Sequence, residues 1–271
     1  MSRYPQQPNQ NPYGRQPPPI PVYAQDPTYR NQSMPPSPQG LGYQNTYDQV
    51  ADGAMGRFFN TVYAWMAVGL GVTAVVGFLF SQNTALLTAL YGSTAGYLVV
   101  SLAAFGIAWY VQSQVGRLSQ GVATALFLVY ASILGALLSG IFIIYSPAVL
   151  VSAFAVTGGV FGAMSIYGFV TKRDLSRIGS IAIMIAFGLI IASVVNLFMA
   201  NSALSWVITY GILAVFIVIT AYETQMLKAM AEQTRHDPVM AGRVAIVGSL
   251  MLYISFINLF LSILRILGDR R

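Results

Sequence analysis

Residues 58–116 read FFNTVYAWMAVGLGVTAVVGFLFSQNTALLTALYGSTAGYLVVSLAAFGIAWYVQSQVG, and none of these 59 positions carries a charge. A helix that crosses a bilayer needs about 20 apolar residues, so a run of this length holds two crossings joined by a turn. The polar cluster Ser81-Gln82-Asn83-Thr84 marks where the chain folds back. Strict period-two alternation, the mark of a membrane β-barrel, is absent, and continuous apolar runs of this kind specify helices.

Three more such gaps follow. Leu118 to Thr171 spans 54 uncharged positions, Ile178 to Tyr222 spans 45, and Val244 to Leu264 spans 21. Tyr145-Ser146-Pro147 and Asn201-Ser202 break the two longer gaps. The count is therefore two, two, two and one helices, near 57–80, 86–112, 119–143, 148–170, 177–200, 204–228 and 240–267. Composition agrees: hydrophobic residues reach 56% and charged residues 8%, against about 25% charged in a soluble protein. An all-α membrane protein with seven spans is the expected fold class.

Residues 1–50 differ in kind. They hold eleven of the thirteen prolines and nine glutamines, including Pro17-Pro18-Pro19 and Pro35-Pro36. Such a segment cannot bury a core and is expected to be disordered with local polyproline character. A solvated tail is the plain reading; docking of an SH3-like partner at Pro17–Pro21 is the sharper one. No secretory signal peptide is legible there. The expected organisation is a Pro/Gln-rich tail over 1–50 and a membrane domain over 51–271.

Basic residues in short loops mark the cytoplasmic side of a membrane. Arg57, Arg117, the cluster Lys172, Arg173 and Arg177, and then Lys228, Arg235 and Arg243 alternate onto the side of the N-terminus, and the three opposite hairpins are uncharged. A cytoplasmic N-terminus is expected. With seven full crossings the tail Asp269-Arg270-Arg271 emerges on the far side, and a re-entrant last segment would return it.

Small residues recur at four-residue spacing, as Gly69, Thr73 and Gly77, as Ala131, Gly135 and Ser139, and as Gly158 and Gly162. In lipid this spacing lets helix backbones approach closely. Tight packing is the expected use, ahead of a pore lined by small residues. Asp237-Pro238 has the form of an N-cap followed by proline in the first turn, so the last helix is expected to start ahead of the bilayer.

Little in the chain can carry chemistry. Cysteine is absent and a single histidine, His236, lies between Arg235 and Asp237 in a polar loop, where solvation is expected. This leaves no thiolate metal site, no cysteine nucleophile and no histidine triad. Lys172 and Lys228 both sit at helix ends, so neither a retinal linkage nor a deep lysine base is available, and no glycine-rich phosphate loop precedes a lysine. No enzymatic activity, no cofactor and no nucleic-acid partner is expected. Glu223 is the lone carboxylate within the spans, five residues before Lys228. An intramembrane acid is costly and by default functional, so Glu223 is a candidate proton or cation site, with an interfacial glutamate as the plain alternative. Asn196, Ser255 and Asn258 are polar groups at depth that can hydrogen-bond between helices. Arg265, near the last helix end, is expected to snorkel to the interface.

Four segments carry a family resemblance: RFFNTVYAWMAVGLGVTA (57–74), FGAMSIYGFVTKRDLSRIG (161–179), AYETQ (221–225) and LYISFINLFLSILRILG (252–268). In this order they resemble the Bax inhibitor-1 family, from Arg57 to the C-terminus. The resemblance implies six helices around a central seventh and, for bacterial members, an inner-membrane location. It also implies a pH-sensitive calcium leak or, in some bacterial members, modulation of a membrane protease, with calcium ions, protons or membrane proteins as partners. Where pH-sensing members place an aspartate after the tyrosine of the sixth helix, this chain has Glu223 after Tyr222. Where they place a second aspartate before Phe-Ile-Asn-Leu-Phe, it has Ser255. An arginine near the end of the second helix is replaced around Val111. A paired carboxylate can share a proton; a glutamate facing a serine can bind one proton or help ligate a cation. Glu223, Ser255 and Asn258 are the expected ion-pathway or pH-sensing residues. Two functions remain open, a cation leak past these residues and a non-conducting scaffold or quality-control regulator.

Overall fold

A computed structural model describes residues 38–114 and 117–268, with side chains described from Gly53 onward. The chain divides into two units, residues 1–48 and 49–271. Of the first, the described part is the helical backbone that starts at Pro38; the rest of the expected Pro/Gln-rich tail lies outside the described residues. The helices are α1 (Pro38–Ser81), α2 (Thr84–Tyr91), α3 (Thr94–Ser113), α4 (Gln120–Leu138), α5 (Ile141–Ile144), α6 (Pro147–Val170), α7 (Ser176–Met199), α8 (Ser202–Gln233) and α9 (Pro238–Leu267). Seven stretches are long and apolar enough to cross a membrane: Gly53–Ser81, Thr94–Ser113, Gln120–Ile144, Pro147–Val170, Ser176–Met199, Ser202–Gln233 and Pro238–Leu267.

The polar breaks between the spans work as caps. The Asn83 side chain accepts from the N–H groups of Ala85 and Leu86 at 3.0 and 3.2 Å. Ser146 accepts from Val149 N–H ahead of Pro147, and Asn201 accepts from Leu204 N–H at 3.0 Å. Asp237 accepts from Val239 and Met240 at 3.0 and 2.9 Å, with Pro238 in the first turn as the sequence predicts. Each satisfies N–H groups that the first helical turn cannot pair internally.

Two expected helices are corrected: 119–143 breaks at Ser139–Gly140 into α4 and α5. The stretch 86–112 is not continuous but two helices, because Ser93 adopts an extended conformation and caps α3 by accepting from Gly96 N–H. The end of α2 is then fastened to the far end of the α4 span. Tyr91 Oη donates to Leu137 O at 2.8 Å and accepts from Gly140 N–H at 3.3 Å, where α4 gives way to α5. At the other end, α8 continues to Gln233, five residues past the expected limit.

Burial is uneven, as a bilayer solvent requires. Of the apolar window of α9, 78% lies inside the protein, against 17–39% for the other spans. α9 packs on α3, α4, α6 and α8, while α7 packs on α8. The outward faces carry large apolar side chains, such as Phe198, Ile191, Val151 and Leu102, on a scale that water does not tolerate and lipid does.

The small-residue spacing divides into two cases. A Cβ on Gly77 would lie 2.9 Å from Gly135 O, and one on Gly135 would lie 2.7 Å from Thr73 O, so α1 and α4 touch through their backbones. Thr73 Oγ1 donates to Ala131 O at 2.9 Å and is itself bonded to Tyr253 Oη, tying α1, α4 and α9 together in the core. A Cβ on Gly69 would strike the rings of Phe127 and Tyr253. Gly158 and Gly162 are different: a Cβ on either meets nothing within 4 Å. Among the described residues, the packing expected there is absent.

Candidate functional site

The segment Ala221–Gln225 on α8 sends successive residues to four different neighbours. A helix turns about 100° per residue, so consecutive side chains sweep its circumference. Ala221 meets α6 through its carbonyl, to which a Cβ on Gly168 would come within 2.2 Å. The Tyr222 ring lies over Gly179 of α7, where a Cβ would approach its Cγ to 2.2 Å. Glu223 faces α9. Thr224 Oγ1 donates to Thr220 O at 2.9 Å and lies 3.4 Å from Ser165 Oγ of α6. Gln225 reaches the loop between α6 and α7, accepting from Leu175 N–H at 2.9 Å and donating to Arg173 O at 2.8 Å.

Ser255 Oγ donates to Glu223 Oε2 at 2.6 Å. Ser255 is fully buried and Glu223 half-buried. This short contact joins α8 to α9 inside their apolar spans. Chain position alone hides the approach. Glu223 lies ten residues before the end of α8 and Ser255 seventeen after the start of α9. At 1.5 Å per residue, α9 must begin about 10 Å further out than α8 ends. The linker Thr234–Asp237 makes this step as a turn, in which Asp237 N–H donates to Thr234 O at 2.9 Å.

Asn258, one turn beyond Ser255, donates to Ile254 O at 2.8 Å on its own helix and is not bonded to Glu223. Asn196 does join helices: its Nδ2 donates to Ser205 Oγ at 2.7 Å and its Oδ1 accepts from Asn201 N–H at 3.1 Å, fastening α7 to α8 at their hairpin. Val111, where the family resemblance implied a basic partner, is fully buried in the apolar core. His236 is exposed beside Arg235. Among the described residues no three His, Cys, Asp or Glu side chains converge. The hydrogen bond at Glu223 brings one carboxylate and one hydroxyl together.

The sequence reading missed the clamp around the α6–α7 loop. Besides Gln225, Lys228 Nζ donates to Phe169 O at 2.8 Å and stands 4.7 Å from the Phe169 ring. Inside the loop, the Ser176 hydroxyl and backbone N–H hold the Asp174 carboxyl below its usual value. The available signal was the polar Thr224-Gln225 pair on an otherwise apolar helix, although its target cannot be read from spacing.

The fold and this helix crossing define a polytopic membrane protein of seven spans in which, among the described residues, Glu223 is the acid furthest from a span end. Comparison with known proteins specifies it further. A family profile described as "Inhibitor of apoptosis-promoting Bax1" matches residues 55–271, and the chain belongs to the Bax inhibitor-1 family. It is 42% identical over 211 residues to the inner membrane protein YbhL of Escherichia coli K12, covering 78% of this chain and 90% of that one. It is 40% identical over 228 residues to an uncharacterised protein of Deinococcus radiodurans (84% and 94% covered), and 37% identical over 215 residues to one of Borreliella burgdorferi (79% and 93%).

Proposed function

We propose that the chain conducts calcium or another cation in a pH-influenced leak across a bacterial inner membrane, with Glu223 as the controlling group. The observation that carries this reading is the Ser255–Glu223 hydrogen bond, which couples the lone intramembrane acid to the most buried helix. A carboxylate and a hydroxyl are hard oxygen donors of the kind that calcium prefers. Two such donors are far fewer than the six to eight of a storage site, which suits passage better than retention. In this reading the bond is a latch: protonation of Glu223 or approach of a cation competes with Ser255 and loosens α8 from α9. The N-terminus and the basic ends of the helices face the cytoplasm. The name of the Escherichia coli relative supports the inner-membrane location. No catalytic step is assigned to the chain.

A second reading draws on the dense burial of α9, 78% of whose apolar window lies inside. A dry central helix suits a non-conducting scaffold that regulates membrane quality control, such as a protease modulator. Calcium flux into liposomes containing the purified full-length protein, followed across pH, separates the two. A protein-dependent flux that changes with pH supports the leak. Flux equal to that of empty liposomes at every pH overturns it in favour of the scaffold.

A further inference from the structure

At the end of the bundle opposite the basic loops, α7, α8 and α9 line an open pocket of about 910 Å³. Helix order places there the α7–α8 hairpin and the last turn of α9. The charged group in the pocket wall is Arg265, whose guanidinium stands 5.6 Å from the Trp206 ring. Among the described residues it has no salt bridge, unlike Arg235, which pairs with Glu232 at the other end. Ser193, Asn196 and Ser205 line the same pocket, and α8 opens onto it with Ser202 in its first turn, where the helix dipole favours an anion beside the Asn201 cap. Leu197 and Ile266 add apolar wall beside this polar end.

An arginine beside an aromatic ring can present its planar fork of donors to a ligand, and that fork matches phosphate geometry. Apolar wall next to a cation and hydroxyls fits a molecule with a charged head and a hydrocarbon body. We propose that this pocket binds the phosphodiester headgroup of an anionic phospholipid in the leaflet opposite the basic loops, with Arg265 as the principal contact and Trp206 holding it in place. The net negative charge of the lipid matters because no protein carboxylate among the described residues neutralises Arg265. Such a lipid would bridge the ends of α7, α8 and α9, the helices that carry the Tyr222–Glu223–Ser255 contacts further along.

The test is native mass spectrometry of the full-length protein in detergent, titrated with phosphatidylglycerol, with phosphatidylcholine or with inorganic phosphate. The wild-type protein should retain one phosphatidylglycerol more tightly than phosphatidylcholine. Arg265→Gln should weaken that binding about tenfold, the scale of one charge-assisted contact, with Arg265→Lys in between because it keeps the charge and loses the fork. Both variants should melt within the wild-type range in lipid-free detergent. Millimolar inorganic phosphate should leave the lipid bound; displacement would assign the site to free phosphate and overturn the lipid proposal. Equal phosphatidylglycerol affinity in wild type and Arg265→Gln would overturn the site itself.

Discussion

Helix α6 carries two glycines whose replacement by alanine should have opposite effects, and the contrast tests the packing that positions Glu223. A Cβ on Gly168 would lie 2.2 Å from Ala221 O and 2.9 Å from its carbonyl carbon, both backbone atoms that cannot swing aside. Restoring an ordinary contact near 3.4 Å requires α6 and α8 to part by about 1 Å, and overpacking of this kind costs about 1–3 kcal/mol. The better helix propensity of alanine returns about 1 kcal/mol. The expected net effect of Gly168→Ala is a loss of up to about 2 kcal/mol. For Gly158→Ala nothing lies within 4 Å, so the propensity gain stands alone, up to about 1 kcal/mol. Thermal unfolding in detergent should show it, since 1 kcal/mol moves the midpoint by about 2–4 °C in a protein of this size. Gly168→Ala should melt several degrees lower and Gly158→Ala slightly higher. Because Ala221 is two residues from Glu223, Gly168→Ala should also alter any flux that depends on the Glu223–Ser255 contact. Equal stabilisation by both substitutions would refute the close crossing of α6 and α8.

Three further outcomes are expected. Asp237→Ala should cost about 1 kcal/mol, read as a lower melting midpoint, because two N–H groups at the start of α9 lose their acceptor; an unchanged midpoint would show that solvent caps this helix equally well. Ala200 closes α7 in the left-handed region at φ 49°, so Ala200→Gly should stabilise by about 1 kcal/mol in the same assay, and a destabilised variant would refute the strain. Single cysteines at Ser81, Ser146 and Ser202 should react with an impermeant thiol reagent applied outside the cell; labelling only from the cytoplasmic side would reverse the proposed orientation.

The spans were legible because charge is so costly in lipid that its gaps alone count the helices. Their ends were legible wherever a capping side chain sits in the sequence, as at Asn83, Ser146, Asn201 and Asp237. Ser93 is also such a cap, but it lies in a run apolar enough to pass as one continuous helix, so the α2–α3 break stayed hidden. Small-residue spacing located the α1–α4 contact and misplaced one on α6, because spacing identifies a face without naming what covers it. Glu223 stood out as the lone acid at depth, whereas its partner depended on the axial offset between α8 and α9, a tertiary quantity. Gln225 bonds backbone groups at the α6–α7 loop and Lys228 a carbonyl in the last turn of α6, and such targets leave no mark on side-chain pattern.

The most direct measurement of the central claim is calcium flux across pH in liposomes containing Glu223→Gln, after its folding has been checked by thermal unfolding. The amide keeps a hydrogen-bond acceptor for Ser255 and removes the ionisable proton. If Glu223 controls the path, most of the pH dependence of flux should disappear in the folded variant. Flux and pH response indistinguishable from those of the wild-type protein would contradict the account.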